Sequence, residues 1–430
     1  MWGDLLVSAA MTLPLERHWK NVTWALCVEA FWGVSLALIS VVAIVPVFLS
    51  HLGASNTVLG ALPAVWTLMA YLPGAFGSHF TSHLPLRKQA VFVFHAASGI
   101  PWVLAAIWFG IGGRHSPGLD ITVFLVLWGT AWGFMGLFIP VWINFIGKVT
   151  RPELRATSFG TIFFFQTLMG VIGGWVANRI LSSALPFPQN YAVGFLVAGI
   201  CMTVGSFFFL PVVEDPGATA PQGQAVATVI RHMREVLSDR GGVRVYLAIV
   251  VLTVGGWLLI SYYPVFAERR FGLRARDSAI FTAVCMAGQM IGSILTGVVG
   301  DRFGYAKVAI VSVVSLTIGL GVAIWGSHPA LYYVTAFATG LYIVTDRLAQ
   351  FNLSMAFCPH EDNTAWLGAI PAITAPVVAL VAGSGGGFID RFGFPRVACA
   401  GLLLAAVALY LALFHLKEPA YSLAGRRKAT

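Results

Sequence analysis

Charge is scarce in this sequence. Asp, Glu, Lys and Arg together make up 10% of 430 residues, against roughly 25% in soluble domains. So few charges cannot cover a water-facing surface, which excludes the two or three soluble domains that a chain of this length would otherwise form. Cysteine is sparse as well. Cys27, Cys201, Cys285, Cys358 and Cys399 are scattered, mostly within apolar runs, with no CxxC or Cys–His spacing. They read as small core residues, and neither a disulfide framework nor a metal site is expected. His79, His83 and His95 do not make a metal cluster. GxxxxGK[ST], HExxH and GxSxG are all missing, and the glycine run Gly383 to Gly387 lies inside an apolar segment. No cofactor, no ATP-driven step and no enzymatic activity are therefore expected. The segment Met1 to Lys20 makes a poor secretory signal, because Asp4 precedes its apolar run and Pro14 and Glu16 interrupt the end of it. An interfacial helix or a frayed tail is expected there.

Apolar residues are abundant instead: 58% of the chain, with a mean hydropathy of +0.82. A helix that crosses a membrane needs about 20 predominantly apolar residues. Runs of that kind lie at 22–49, 56–79, 89–110, 121–147, 158–181, 190–212, 243–266, 277–300, 306–326, 330–355, 364–389 and 396–416. The fold class that follows is an all-α membrane protein of twelve transmembrane helices. The formal charge of +9 has a topological reading, since the basic residues fill short gaps and form no stripe interleaved with exposed aromatics. No nucleic-acid partner is expected. One set of loops holds 17 Lys and Arg, the other 8, among them the cluster Arg269 to Arg276. The richer set includes both ends of the chain, so both termini are expected on the cytoplasmic side of a cell membrane.

The longest gap, 213–242, begins rich in Pro, Gly, Ala and Gln. It continues as Ala225 to Asp239 with Val226, Val229, Met233 and Val236 at helical spacing. It reads as a linker with a short amphipathic helix on the inner surface, between bundles at 1–212 and 243–430. Repeats support this division independently of hydropathy. Pro46-Val47-Phe48 closes the first span and Pro264-Val265-Phe266 the seventh. Asn144, Glu153 and Gly160 recur as Asn352, Glu361 and Gly368, each 208 positions later. A second repeat lies within the C-terminal half: Gly297 to Val308, containing Asp301-Arg302-Phe303-Gly304 and Lys307, matches Gly386 to Val397, containing Asp390-Arg391-Phe392-Gly393. Three spans separate the copies and place them on opposite faces, the pattern of inverted three-helix units.

The loop pattern Gly-x-x-x-Asp-Arg-x-Gly followed by a basic residue, here Gly297, Asp301, Arg302, Gly304 and Lys307, resembles that of the major facilitator superfamily. So does Pro152-Glu-Leu-Arg155 running into Phe159-Gly160. After the second span Gly77 and Arg87 align, but Thr81 stands where the family has Asp. The resemblance covers nearly the whole chain. It implies two pseudo-symmetric six-helix bundles that rock around a central site, a cavity bounded by the first, fourth, seventh and tenth helices, and gating by Asp301 and Arg302. Asp390 and Arg391 would be the mirrored pair on the outer face.

Glu29, Asp346 and Arg347 lie within spans, where a charge costs about 2.5–3.5 kcal/mol on insertion scales and needs a partner or water. Arg347 is expected to pair with Glu29 or to hold an anionic group of the substrate. A carboxylate shielded from bulk water takes up a proton more readily, which makes Glu29 the leading candidate for proton coupling; a permanent structural ion pair is the alternative. Asn144, Gln166, Gln289 and Asn352, with Trp32, Trp142, Trp257, Tyr262 and Tyr263, are candidate cavity residues, or else form hydrogen bonds between helices worth roughly 0.6 kcal/mol each. The expected function is secondary transport of a small organic solute by a monomer in the lipid bilayer, driven by protons or by the solute's own gradient. An amphipathic compound exported from the cell and a sugar or metabolite taken up are both open, as is a non-transporting sensor or assembly factor.

Overall fold

The computed structural model describes residues 13–74, 76, 81, 83–111, 116–151, 154–216, 225–238, 242–260, 262–358 and 364–418. Lipid offers no partner to a free N–H or C=O, so a chain of this composition closes its backbone hydrogen bonds inside helices. Among the described residues there is no strand. The first half comprises α1 (Leu15–Leu38), α2 (Ile44–His51), α3 (Asn56–Tyr71), α4 (Lys88–Ile111), α5 (Pro117–Val149), α6 (Arg155–Leu181) and α7 (Gln189–Ser206). A separate helix, α8 (Ala225–Ser238), leads to the second half: α9 (Gly242–Ile260), α10 (Tyr263–Phe271), α11 (Ala275–Phe303), α12 (Tyr305–Trp325), α13 (Pro329–Phe357), α14 (Thr364–Phe392) and α15 (Phe394–Phe414). The apolar run Leu5 to Leu15 falls almost wholly outside the described residues.

Among the described residues, nine of these helices are long and apolar enough to cross a membrane. The other three expected spans fall short for separate reasons. Sixteen residues of α3 are described. In the seventh span, α9 runs from Gly242 to Ile260, and among the described residues the apolar stretch is Gly242–Val254. In α13 polar side chains, Asp346 and Arg347 among them, interrupt an otherwise sufficient length. The first and seventh spans also differ from the unbroken runs expected. Each is two helices, with residues 39–43 between the first pair and Tyr262 before the second helix of the other. Proline has no N–H to give and its ring crowds the carbonyl four residues back, so Pro46 and Pro264 sit just inside restarted helices. The repeated Pro-Val-Phe thus marks a break within a span and the start of its distal piece.

The two halves use the same neighbours. In the first, α1 packs on α6 and α7, α4 on α5 and α7, and α3 on α5. In the second, α9 packs on α14 and α15, α12 on α13 and α15, and α11 on α13. The halves meet where α6 lies against α11 and α3 against α14. The side carrying α8, which packs on α14, is referred to here as the linker end, and the opposite side as the far end.

Two local devices recur. The Asp-Arg-Phe-Gly copies make the same one-residue turn: Gly304 has φ 92° between α11 and α12, and Gly393 has φ 80° between α14 and α15. A side chain at such φ is strained by about 1–3 kcal/mol. At the linker end, Glu214 follows α7 and accepts the backbone N–H groups of Arg87 (3.0 and 2.9 Å) and Lys88 (2.9 Å) at the start of α4. Glu418, which follows α15, accepts those of Tyr305 (2.8 Å) and Ala306 (3.4 Å) at the start of α12. Each carboxylate caps a helix N-terminus, where the free N–H groups and the helix dipole favour negative charge.

Gly304→Ala and Gly393→Ala are each expected to destabilise the protein by about 1–3 kcal/mol, read as a lowered unfolding midpoint of the purified protein. Glu214→Gln and Glu418→Gln should each lower the midpoint by a few degrees, because a hydrogen bond to a charged group contributes about 1.5–3 kcal/mol. An unchanged midpoint in both Glu variants would show that the caps are incidental.

Candidate functional site

Glu29 lies on the face of α1 that packs against α6. The two helices approach closely because Gly33, one turn on, carries no side chain; a Cβ there would stand 1.8 Å from the Gln166 carbonyl oxygen. Gln166 Nε2 donates a short hydrogen bond to Glu29 Oε2. Both residues are buried, at 4% and 6% exposure. Across from them, α13 supplies Arg347, which lines the same cavity as Glu29 and Gln166. Its guanidinium lies 5.8 Å from the centre of the Phe163 ring. Glu29, Tyr71 and Asp346 all act on it electrostatically. No carboxylate among the described residues makes a contact ion pair with Arg347. Asp346 takes the Gln350 amide at 3.0 Å instead and is absent from the lining, as the 100° between adjacent helical positions requires.

The cavity holds about 100 Å³, room for a few waters or a compact solute. Its walls are aromatic. Trp66 meets Trp132 edge-on at 5.6 Å, and Trp32 meets His95 at 5.0 Å. His95 in turn lies 3.7 Å from Phe138, and Trp142 lies 6.1 Å from Phe163. The ring of His95 is held by Nδ1–H donating to Val91 O at 3.0 Å. The indole N–H groups of Trp32, Trp132 and Trp142 are buried without a hydrogen-bond partner among the described residues. A buried donor left unpaired costs about 1–3 kcal/mol, so three of them are a notable feature of one small site.

The remaining sequence candidates lie elsewhere. Asn144 accepts from the Arg87 guanidinium near the linker end. Asn352 donates to the Leu348 carbonyl of its own helix at 2.7 Å, and Gln289 turns towards Met286 Sδ at 3.3 Å. Tyr263 packs on Phe394. Tyr262 donates its hydroxyl to Asn56 O at 2.7 Å. The side chains of Trp257 and Asp301, and Gly77 entirely, lie outside the described residues. Gly297 is half-buried on α11, and Arg302 and Lys307 are exposed at the linker end. The seventh span supplies none of the described lining; the walls come mainly from α1, α3, α4, α5 and α6, with α13 adding Arg347 and Phe351. Trp66, Tyr71, His95, Trp132, Phe138 and Phe163 were not singled out from the sequence as cavity residues, since an aromatic within an apolar run carries no mark of the face it will take. No group of three or more His, Cys, Asp or Glu able to hold a metal occurs among the described residues.

At the far end, polar contacts join the halves. His51 Nε2 and Glu268 Oε1 are 3.0 Å apart. Asn56 Nδ2 donates to Asp390 Oδ1 at 2.5 Å, beside the Tyr262–Asn56 bond, and Asn178 donates to Arg276 O at 3.2 Å. Arg391 turns to its neighbour Phe392. The sequence offered no sign of His51, Glu268 or Asn56 as partners, because each pair is separated by hundreds of residues. The exposed pair and the neutral hydrogen bonds contribute up to about 1.5 kcal/mol each and the bond to the Asp390 carboxylate about 1.5–3 kcal/mol, so these contacts can be broken. Glu268→Gln combined with Asp390→Ala is expected to raise labelling of a Leu36→Cys reporter, placed in the cavity wall of a cysteine-free background, by a membrane-impermeant thiol reagent from the far side; unchanged labelling would show that the far end is held shut by packing alone.

Comparison with known proteins agrees with this architecture. The solved D-xylose–proton symporter superposes with a TM-score of 0.69 at 17% identity, over 93% of this chain and 98% of that one. A partially occluded, inward-open form of the xylose transporter XylE from E. coli gives 0.68 at 15%, over 94% and 98%. A putative proline/betaine transporter of Staphylococcus aureus is 20% identical over 66% of this chain and 69% of its own. A putative metabolite transport protein of Haemophilus influenzae is 26% identical over 32% of this chain, and the match spans 35% of that relative's length. The Major Facilitator Superfamily profile matches residues 30–361. That stretch runs from beside Glu29 past Arg347 and takes in nearly all of the cavity wall, and on this ground, with the repeated helix packing, the chain belongs to the major facilitator superfamily of membrane transporters.

Proposed function

We propose that this protein is a proton-coupled secondary carrier of a compact organic solute, working by alternating access between bundles at 1–212 and 243–430. The observation that carries the reading is the composition of the cavity: Glu29 with Gln166 comes from one half and Arg347 from the other. A site built across two bundles is remade whenever they rock, which is what alternating access needs. The contacts at the far end support an inward-facing arrangement, with the linker end on the cytoplasmic side and Asp390 among the residues that close the outer side. Glu29 is the proton carrier in this reading. Asp301, Arg302 and Lys307 would act at the linker end when the bundles rock the other way.

A cavity of about 100 Å³ favours a small solute over a drug-sized one, for which pockets of roughly 300–1,000 Å³ are usual. The similarity to a putative proline/betaine transporter fits the same size class. A second reading, export of an amphipathic compound, draws support from an apolar groove of about 620 Å³ between α3 and α5 that runs past Val65, Met69 and Leu125 and borders the helices bearing Trp66 and Trp132. The first reading accounts for the Glu29–Gln166 and Arg347 set, and the second leaves it without a role.

The test is transport by purified protein in proteoliposomes with an imposed pH gradient, using proline, glycine betaine and D-xylose as probes. Glu29→Gln is expected to abolish proton-driven accumulation while leaving solute counterflow in place. Proton-driven accumulation that survives in this variant would remove Glu29 from coupling, and no response of any probe to the gradient in the unaltered protein would remove coupling itself.

A further inference from the structure

Donors outnumber acceptors around the cavity. Arg347 brings the five N–H donors of a guanidinium, and three buried indole N–H groups, of Trp32, Trp132 and Trp142, have no partner among the described residues. The protein's own carboxylates act on Arg347 from a distance: Glu29 Oε2 takes the Gln166 amide and Asp346 that of Gln350, and among the described residues neither makes a contact ion pair with the guanidinium. A guanidinium in a partly dry site without a contact anion is costly, and a carboxylate is the planar, two-oxygen acceptor that fits its fork. We propose that the substrate of this carrier is a compact organic carboxylate, bound through its carboxylate to Arg347 and carried together with a proton on Glu29. The inference rests on the carrier reading above and narrows it to one chemical class.

The proton follows from charge. Glu29 bonds Gln166 on α6 and shares the cavity lining with His95 on α4, Tyr71 on α3 and Arg347 on α13, while Asp346, outside the lining, acts on Arg347 electrostatically. Arg347 is the cation of this group. A second carboxylate arriving at the guanidinium competes with Glu29 for the same positive charge, and two neighbouring carboxylates do not both stay ionised. Glu29 then takes a proton from water as the substrate binds and returns it as the substrate leaves, so one proton moves with each acid. The aromatic walls around Phe138 and Phe351 accommodate an apolar or methylated body, and the volume limits its size. A sugar would also find donors here but would leave the guanidinium without an anion.

The experiment is a tryptophan-fluorescence titration of the purified full-length protein, since indoles line the cavity. The probes are tert-butylacetate, its neutral amide, glycine betaine, choline and D-xylose. Tert-butylacetate and glycine betaine are expected to bind at least about tenfold more tightly than the amide, choline or xylose. Their binding should tighten as pH falls, by up to about tenfold per unit for one linked proton. Glu29→Gln should keep carboxylate binding and lose its pH dependence. Arg347→Gln should weaken it at least about tenfold, with Arg347→Lys in between. Equal binding of the amide or xylose, pH dependence that persists in Glu29→Gln, undiminished binding in Arg347→Gln, or no carboxylate binding at all would each overturn the assignment. If the carboxylates fail while xylose binds and its transport responds to a pH gradient, the carboxylate class falls and the carrier reading stands.

Discussion

A charge between the faces of a membrane must be compensated, and much of this structure can be understood from how Arg347 and Glu29 meet that demand. Hydrocarbon supplies neither water nor counter-ions, so each group depends on what the surrounding helices bring to it. The Glu29 carboxylate is served by the Gln166 amide across the α1–α6 contact, and that contact exists because Gly33 lets the backbones approach. Arg347 has an aromatic face beneath it and carboxylates at a distance, with no contact ion pair among the described residues. The compensation is therefore incomplete on the side of the cation, and the incompleteness points towards a ligand.

The scaffold around this pair is built from repeated solutions to the same problems. Pro46 and Pro264 break equivalent spans, Gly304 and Gly393 make equivalent turns, and Glu214 and Glu418 cap equivalent helices. The contacts between halves are of another kind. At the far end they are a histidine–glutamate pair and a few hydrogen bonds, each modest in energy. Helix packing of α6 on α11 and α3 on α14 joins the halves as well, so these polar contacts are one part of the interface between them.

Much of the fold was legible beforehand. Hydropathy located the nine described helices that are long and apolar enough to span, and the Asp-Arg-Phe-Gly copies gave away a repeat whose turns share one geometry. The breaks in the first and seventh spans were less legible, because hydropathy does not register a missing N–H; the Pro-Val-Phe repeat was visible, but its meaning was not. For the site, the intramembrane charges stood out in the sequence since each is costly, and the structure places Glu29, Gln166 and Arg347 around one cavity. The polar residues Asn144, Gln289 and Asn352 stood out for the same reason but found partners within or beside their own helices.

The sequence by itself determined that this is a helical membrane protein with internal repeats and very few embedded charges. Those properties follow from composition and from local rules: lipid excludes free backbone groups, and proline and glycine restrict φ. Tertiary structure alone decided which half supplies the walls of the cavity, that four tryptophans converge there, that Asp346 lies outside the lining, and that His51 meets Glu268 and Asn56 meets Asp390. These are contacts between residues far apart in the chain, set by the rotation of each helix about its axis. In an apolar span every face looks alike to a hydropathy pattern, so only the packing of neighbouring helices chooses among them.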